Sequence, residues 1–149
     1  MHTFMAYKNK LIVIVLAVAL GTCEEREGLG FEDFWVQPAS GDITAAYITI
    51  KNPGQTSDTL LDVHCDVAGV TSIHETRHEQ GMMRMRPLET LPIPARSQVI
   101  MQPGGFHIML EGLDHPLQVG EVVNLRLRFE KMGEITLPIT VEDRRGHEH

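Results

Sequence analysis

Val123-Asn124-Leu125-Arg126-Leu127-Arg128-Phe129-Glu130, then Lys131-Met132-Gly133, then Glu134-Ile135-Thr136-Leu137-Pro138-Ile139-Thr140-Val141, is the stretch that decides the fold. Val123, Leu125, Leu127 and Phe129 alternate with Asn124, Arg126, Arg128 and Glu130, and Ile135, Leu137, Ile139 and Val141 resume the same period of two after the turn. Successive strand side chains point to opposite faces, so this period gathers the apolar side chains on one face. Two such runs joined by a short Gly-containing turn make a β-hairpin. Pro138 has no N–H for a ladder, which puts the second strand at a sheet edge or beside an irregularity.

Upstream, the same reading predicts further short strands: Thr44 to Lys51 with Ile48 and Ile50 inward, Leu60 to Val67, Val70 to Arg77, Met82 to Arg86, Gln98 to Met101 and Phe106 to Leu110. Pro38-Ala39-Ser40-Gly41-Asp42 and Asn52-Pro53-Gly54 are turn chemistry. Pro87, Pro92 and Pro94 keep the backbone between Arg86 and Gln98 extended and non-helical. In Leu60 to Val67, the residues Leu61, Val63, Cys65 and Val67 alternate with Leu60, Asp62, His64 and Asp66, which makes Cys65 a small core residue. Many short strands, frequent turns and no helical period argue for an all-β, antiparallel β-sandwich. There is no internal repeat and no low-complexity block.

At 149 residues the chain is one domain by the usual prior and long enough to bury a core without disulfides. Lys8 and Lys10 precede the apolar run Leu11 to Leu20, too short to span a bilayer and laid out as a secretory signal peptide over 1–22. Ala19-Leu20-Gly21 fits a simple cleavage site, while Leu20-Gly21-Thr22-Cys23 approximates a lipoprotein box in which Cys23 would carry the lipid. Residues 23–34 read as an acidic, Gly-containing tether, 35–142 as the β-sandwich domain and 143–149 as a mobile tail holding His147 and His149. Removing Lys8 and Lys10 takes the formal charge from −7 to −9. That balance argues against nucleic acid or an anionic membrane as partner, so lipidation of Cys23 would be the membrane attachment.

The chemistry lies in two pieces, His74-Glu75-Thr76-Arg77-His78-Glu79-Gln80-Gly81-Met82-Met83-Arg84-Met85 and Gly104-Gly105-Phe106-His107-Ile108-Met109-Leu110. Strand parity gives His107 and Met109 one face and Phe106, Ile108 and Leu110 the other, and it sets His74 opposite Ile73. Thioether sulfur and imidazole nitrogen together suit Cu(I) over Zn, Ca or Mg. None of His74, Met85, His107 and Met109 is a thiolate, so the set survives an oxidising compartment, and its neutrality favours an ion that can be released. With 8 His and 8 Met in the chain, a fixed four-point pattern would arise by chance in roughly one such chain in a thousand.

The spacing, His then ten residues, Met, twenty-one residues, His, one residue, Met, resembles the motif of the periplasmic copper chaperone family PCu(A)C. Ala45 to Asn52, Ser57 to Leu60, Met85-Arg86-Pro87, Pro103-Gly104-Gly105 before His107 and Leu127-Arg128-Phe129-Glu130 are also similar to that family, over residues 35 to 142. The resemblance implies a Greek-key, cupredoxin-like sandwich with His74, Met85, His107 and Met109 as metal ligands. It also implies a carrier in the periplasm, expected here to be non-enzymatic and monomeric. That carrier would pass Cu(I) by ligand exchange to an acceptor, a cytochrome oxidase subunit or another assembly factor.

Each residue also has an ordinary reading. Met101 and Met132 read as core, Met82 and Met83 as loop-lining or alternate sulfur donors, and His64, His78 and His115 as surface residues, His78 being a reserve ligand. Glu75 reads as solvated, or as a group orienting His74. A copper-sequestering protein would use the same ligands without a delivery partner, and a metal-free β-sandwich interaction module would use none of them. A blue-copper protein needs a His-His-Cys set, which Cys65, of opposite parity to His64, does not supply.

Overall fold

The computed structural model describes residues 28–145. The expected leader, Cys23 and the His147/His149 pair lie outside the described residues. Among those described, the regular structure is all strand: β1 (Gly30–Val36), β2 (Ile43–Asn52), β3 (Asp58–Cys65), β4 (Ala68–Glu79), β5 (Met82–Leu88), β6 (Leu91–Ile93), β7 (Ser97–Ile100), β8 (Phe106–Leu113), β9 (Val122–Phe129) and β10 (Gly133–Val141). The hydrogen-bonded path runs β5-β4-β8-β2-β1-β10-β9-β3-β6, with β7 on β2. Its two halves enclose one core, in which Ile48, Ile73, Ile108 and Leu110 meet Leu60, Val63, Leu125, Leu127 and Ile139. All strand pairings are antiparallel except β1 with β10, where Trp35 faces Thr140 and Val36 faces Val141.

The β9–β10 hairpin matches its sequence pattern residue for residue. Val123, Leu125, Leu127 and Phe129 are buried and the four residues between and before them are exposed. Phe129 pairs with Gly133 across the turn, where Gly133 takes φ +87°, a region that favours glycine. Beyond β9, β10 has a second neighbour only at Thr140 and Val141, so Pro138 sits where its missing N–H breaks no second ladder. The buried Asp58 carboxylate on β3 accepts backbone N–H groups from Thr59 at 2.7 Å, Lys131 at 2.9 Å and Met132 at 3.0 Å, fastening the hairpin turn to β3.

Three expectations need correction. The simple alternation put Leu60 on the polar face of its strand, yet Leu60 is fully buried. A register shift between Leu60 and Asp62 against β9 inserts one extra residue, and such a bulge lets Leu60 and Val63 both turn inward. The tether expected over 23–34 gives way at Gly30 to β1, because Phe31 has a partner: its ring lies 5.8 Å from that of Phe129. β1 is itself irregular, with Asp33 at φ +48° where its register on β2 shifts between Glu32 and Trp35. The tail expected to begin at 143 is anchored at its first turn. Arg144 lies 5.0 Å over the Trp35 ring and pairs with Glu142 at 2.7 Å and Asp33 at 2.5 Å, a cation held on an aromatic face and by two carboxylates.

Candidate metal centre

β4, β5, β8 and β2 form one continuous sheet whose inner face carries Ile73, Ile108, Leu110 and Ile48. The side chains of opposite parity therefore look away from the core. The register then fixes neighbours: His74 stands directly opposite His107, and Ser72 opposite Met109. On the other side of β4, Pro87 lies opposite His74, Met85 opposite Thr76 and Met83 opposite His78. Directly opposed residues on one face have Cβ atoms about 4.5–5.5 Å apart. Residues separated by more than twenty positions in sequence are thus brought within side-chain reach.

The two imidazole rings are adjacent, with centroids 5.7 Å apart. His107 looks away from the core yet is only 4% exposed, because the ring of Tyr47 flanks it on the other side at 6.5 Å. Trp35 stacks on Tyr47 in turn at 4.7 Å. Both His thus stand on the face that parity gave them, His107 buried there and His74 partly buried. Met109 is half-buried, while Met85 and Met83 are exposed at 52% and 58%. Met83, Met85, His107 and Met109, with Tyr47 and Thr76, line one open cleft of about 300 Å³. His74 is not among its lining residues; it borders the cleft through the ring of His107.

Each His makes one hydrogen bond and leaves its other nitrogen bare. His107 Nδ1 lies 3.1 Å from the carbonyl of Gly105, which also accepts the Thr76 N–H at 3.0 Å. A carbonyl only accepts, so Nδ1 carries the proton and Nε2 the lone pair. His74 Nε2 lies 2.9 Å from Ser72 Oγ. The two remaining nitrogens, His74 Nδ1 and His107 Nε2, are buried with no hydrogen-bond partner. A buried polar atom left without a partner costs about 1–3 kcal/mol, and here two lie on adjacent side chains. Burial first, and then the neighbouring His107, push the His74 pKa below its ordinary value, against a smaller upward pull from Glu111. The ring is thereby kept neutral.

Ser72 and the Gly105 carbonyl were not singled out in the sequence. The signal for Ser72 was its parity with His74 two residues on; the other, a backbone atom, had none. Glu75, considered as the orienting group, points the other way and pairs with Arg77 at 2.7 Å. His64 and His78 are exposed, and His115 is exposed and bonded to Asp114 and Glu121. Met101 is buried and Met132 packs on the core, in agreement with their ordinary readings. Among the described residues, no group of three or more His, Cys, Asp or Glu is placed to hold a metal; the donors that do converge are nitrogen and thioether sulfur.

Residues 29–141 match a family model described as "Putative lipoprotein LpqE-like". A relative from Leifsonia xyli, "Putative lipoprotein Lxx21020", is 31% identical over 124 residues, 83% of this chain and 75% of its own. Among solved structures, the solution structure of CuI-DR1885 from Deinococcus radiodurans is similar with 33% identity and TM-score 0.61, over 78% of this chain and 77% of that one. The copper-bound PCuAC domain from PmoF2 shares the fold at TM-score 0.64 and 24% identity, over 76% of this chain and 92% of that domain.

Proposed function

Because the chain belongs to the LpqE-like family and folds as PCuAC domains do, we propose that it is an extracytoplasmic copper carrier of the PCu(A)C type. In this reading it binds one Cu(I) through His74 Nδ1, His107 Nε2 and the sulfurs of Met85 and Met109. The observation that carries the reading is the pair of buried, unpartnered imidazole nitrogens beside a cleft lined by thioethers. Imidazole nitrogen with neutral thioether sulfur suits Cu(I) and offers little to Mg or Ca. The similar protein DR1885 was solved with Cu(I), which supports the same cargo here. The lipoprotein names of the family and of the relative support a location outside the cytoplasm, with Cys23 as the acylation point.

The mechanism is ligand exchange. His107 and His74 are fixed from behind by Gly105 and Ser72, whereas Met85 is exposed. An incoming donor would displace the exposed sulfur first, one bond forming as another breaks, and the ion would leave without becoming free. The acceptor proposed is a copper-accepting protein such as a cytochrome oxidase subunit or another assembly factor. No catalytic step is assigned, and the cargo leaves in the valence in which it arrived.

A blue-copper role is disfavoured by Cys65. Its thiol is buried in the core on β3, in the half of the fold away from the cleft, and burial raises its pKa. It is not available as a thiolate ligand. The test of the proposal is a competition titration with a Cu(I) chelator on the protein and its Met109→Leu variant. Leucine keeps the volume and loses the donor, so the variant should fold as before and bind Cu(I) about 100-fold more weakly or worse, beyond what loss of a supporting group costs. Unchanged affinity would remove Met109 from the site.

A further inference from the structure

Two nitrogens and two sulfurs already complete a four-coordinate set, yet the cleft contains a further soft donor. Met83 lines it together with Met85, His107 and Met109. It shares the outward parity of Met85 and stands opposite His78 in the register. Its terminal methyl reaches across to the turn before β8, 3.9 Å from where a side chain on Gly104 would begin. Met82, Met83 and Met85 are all more than half exposed, but Met82 has the opposite parity and does not line the cleft. A scattered exposed apolar residue needs no explanation; a second thioether leaning over the same cleft as the exposed ligand does.

Resting on the Cu(I) reading of this site, we propose that Met83 is a replacement sulfur ligand that takes the coordination place of Met85 when Met85 lets go. The step is a substitution at Cu(I): the bond to Met83 sulfur forms as the bond to Met85 sulfur breaks. Both thioethers are neutral, so no proton moves, and copper stays cuprous throughout. Because Met83 lies nearer the β4–β5 turn than Met85 does, the exchange shifts the ion toward the tip of the hairpin while His74, His107 and Met109 still hold it. The bound ion would thus have an intermediate station on its way to an acceptor.

The test is copper-edge X-ray absorption on the full chain loaded with one equivalent of Cu(I), for wild type, Met85→Leu, Met83→Leu/Met85→Leu and Met82→Leu/Met85→Leu. All three positions are exposed, so the variants remove no core packing. Two sulfur scatterers are expected in the wild type, two in Met85→Leu, one in Met83→Leu/Met85→Leu, and two again in the Met82 control. A single sulfur in Met85→Leu would overturn the replacement role while leaving the four-ligand site intact. Two sulfurs in Met83→Leu/Met85→Leu would overturn it as well, since some other donor would then be stepping in. A wild-type spectrum without sulfur would instead overturn the underlying reading of the site.

Discussion

His74 and His107 face each other on neighbouring strands with one nitrogen apiece tied down and one bare. A hydrogen bond at the far side of an imidazole fixes both the tautomer and the ring plane, and loss of such support typically costs 10–100-fold in metal affinity. Ser72→Ala should therefore weaken Cu(I) binding by about 10–100-fold without unfolding the protein, and Ser72→Thr should restore most of it; chelator competition measures both. The depressed pKa of His74 sets the pH response. Unfolded, this side chain takes its proton near 6.5; folded, it does so at a lower pH. The neutral ring thus contributes stability above 6.5 that is lost as the pH falls through the folded value. The proposed Cu(I) ligation needs the same lone pair, so in an acid titration of affinity the loss due to protonation of His74 should set in at a lower pH than it would for a free imidazole.

At the scale of elements, the hairpin β4–β5 extends the sheet and carries the exposed thioethers, while β8 carries the buried His. Most strands and their parity were legible because one face had to be apolar; β1, read largely as tether, and β6, read as a proline-ordered connection, were not. What parity could not give was any place where the chain breaks its own period. Leu60 sits at a bulge, and Asp33 lies at the irregularity in β1; both need a partner strand to be detected, and a lone run of sequence has none. Asp58 is a further case, since its worth comes from backbone groups more than seventy residues away. Asp58→Ala would leave the N–H groups of Thr59, Lys131 and Met132 without their carboxylate acceptor and should lower stability by about 3 kcal/mol, read from chemical unfolding. Its pKa is held down by those N–H groups in spite of the opposing effect of burial. The native contribution of Asp58 should accordingly survive mild acid and disappear only as the pH falls through its depressed value, below 3.8.

For the whole molecule, the sandwich solves a placement problem. It holds His74 and Met85 on one hairpin and His107 and Met109 on a strand remote in sequence, and it turns all four outward while the core closes behind them. The four positions proposed as ligands were singled out from spacing and donor chemistry, and the register brings their strands together. Their depth could not be read that way, because Tyr47 and Trp35, which shelter His107 and the row beside it, look in sequence like ordinary core aromatics. Arg144 closes that row from the far end, and a charged residue near a C-terminus gave no hint of it. The most direct check on the central claim is the stoichiometry of Cu(I) on the protein lacking residues 1–22, measured by titration against a competing chelator in the presence of excess Zn(II). One tight equivalent per chain, undisturbed by zinc, is the predicted result. Absence of a tight equivalent, or its displacement by zinc, would contradict the account.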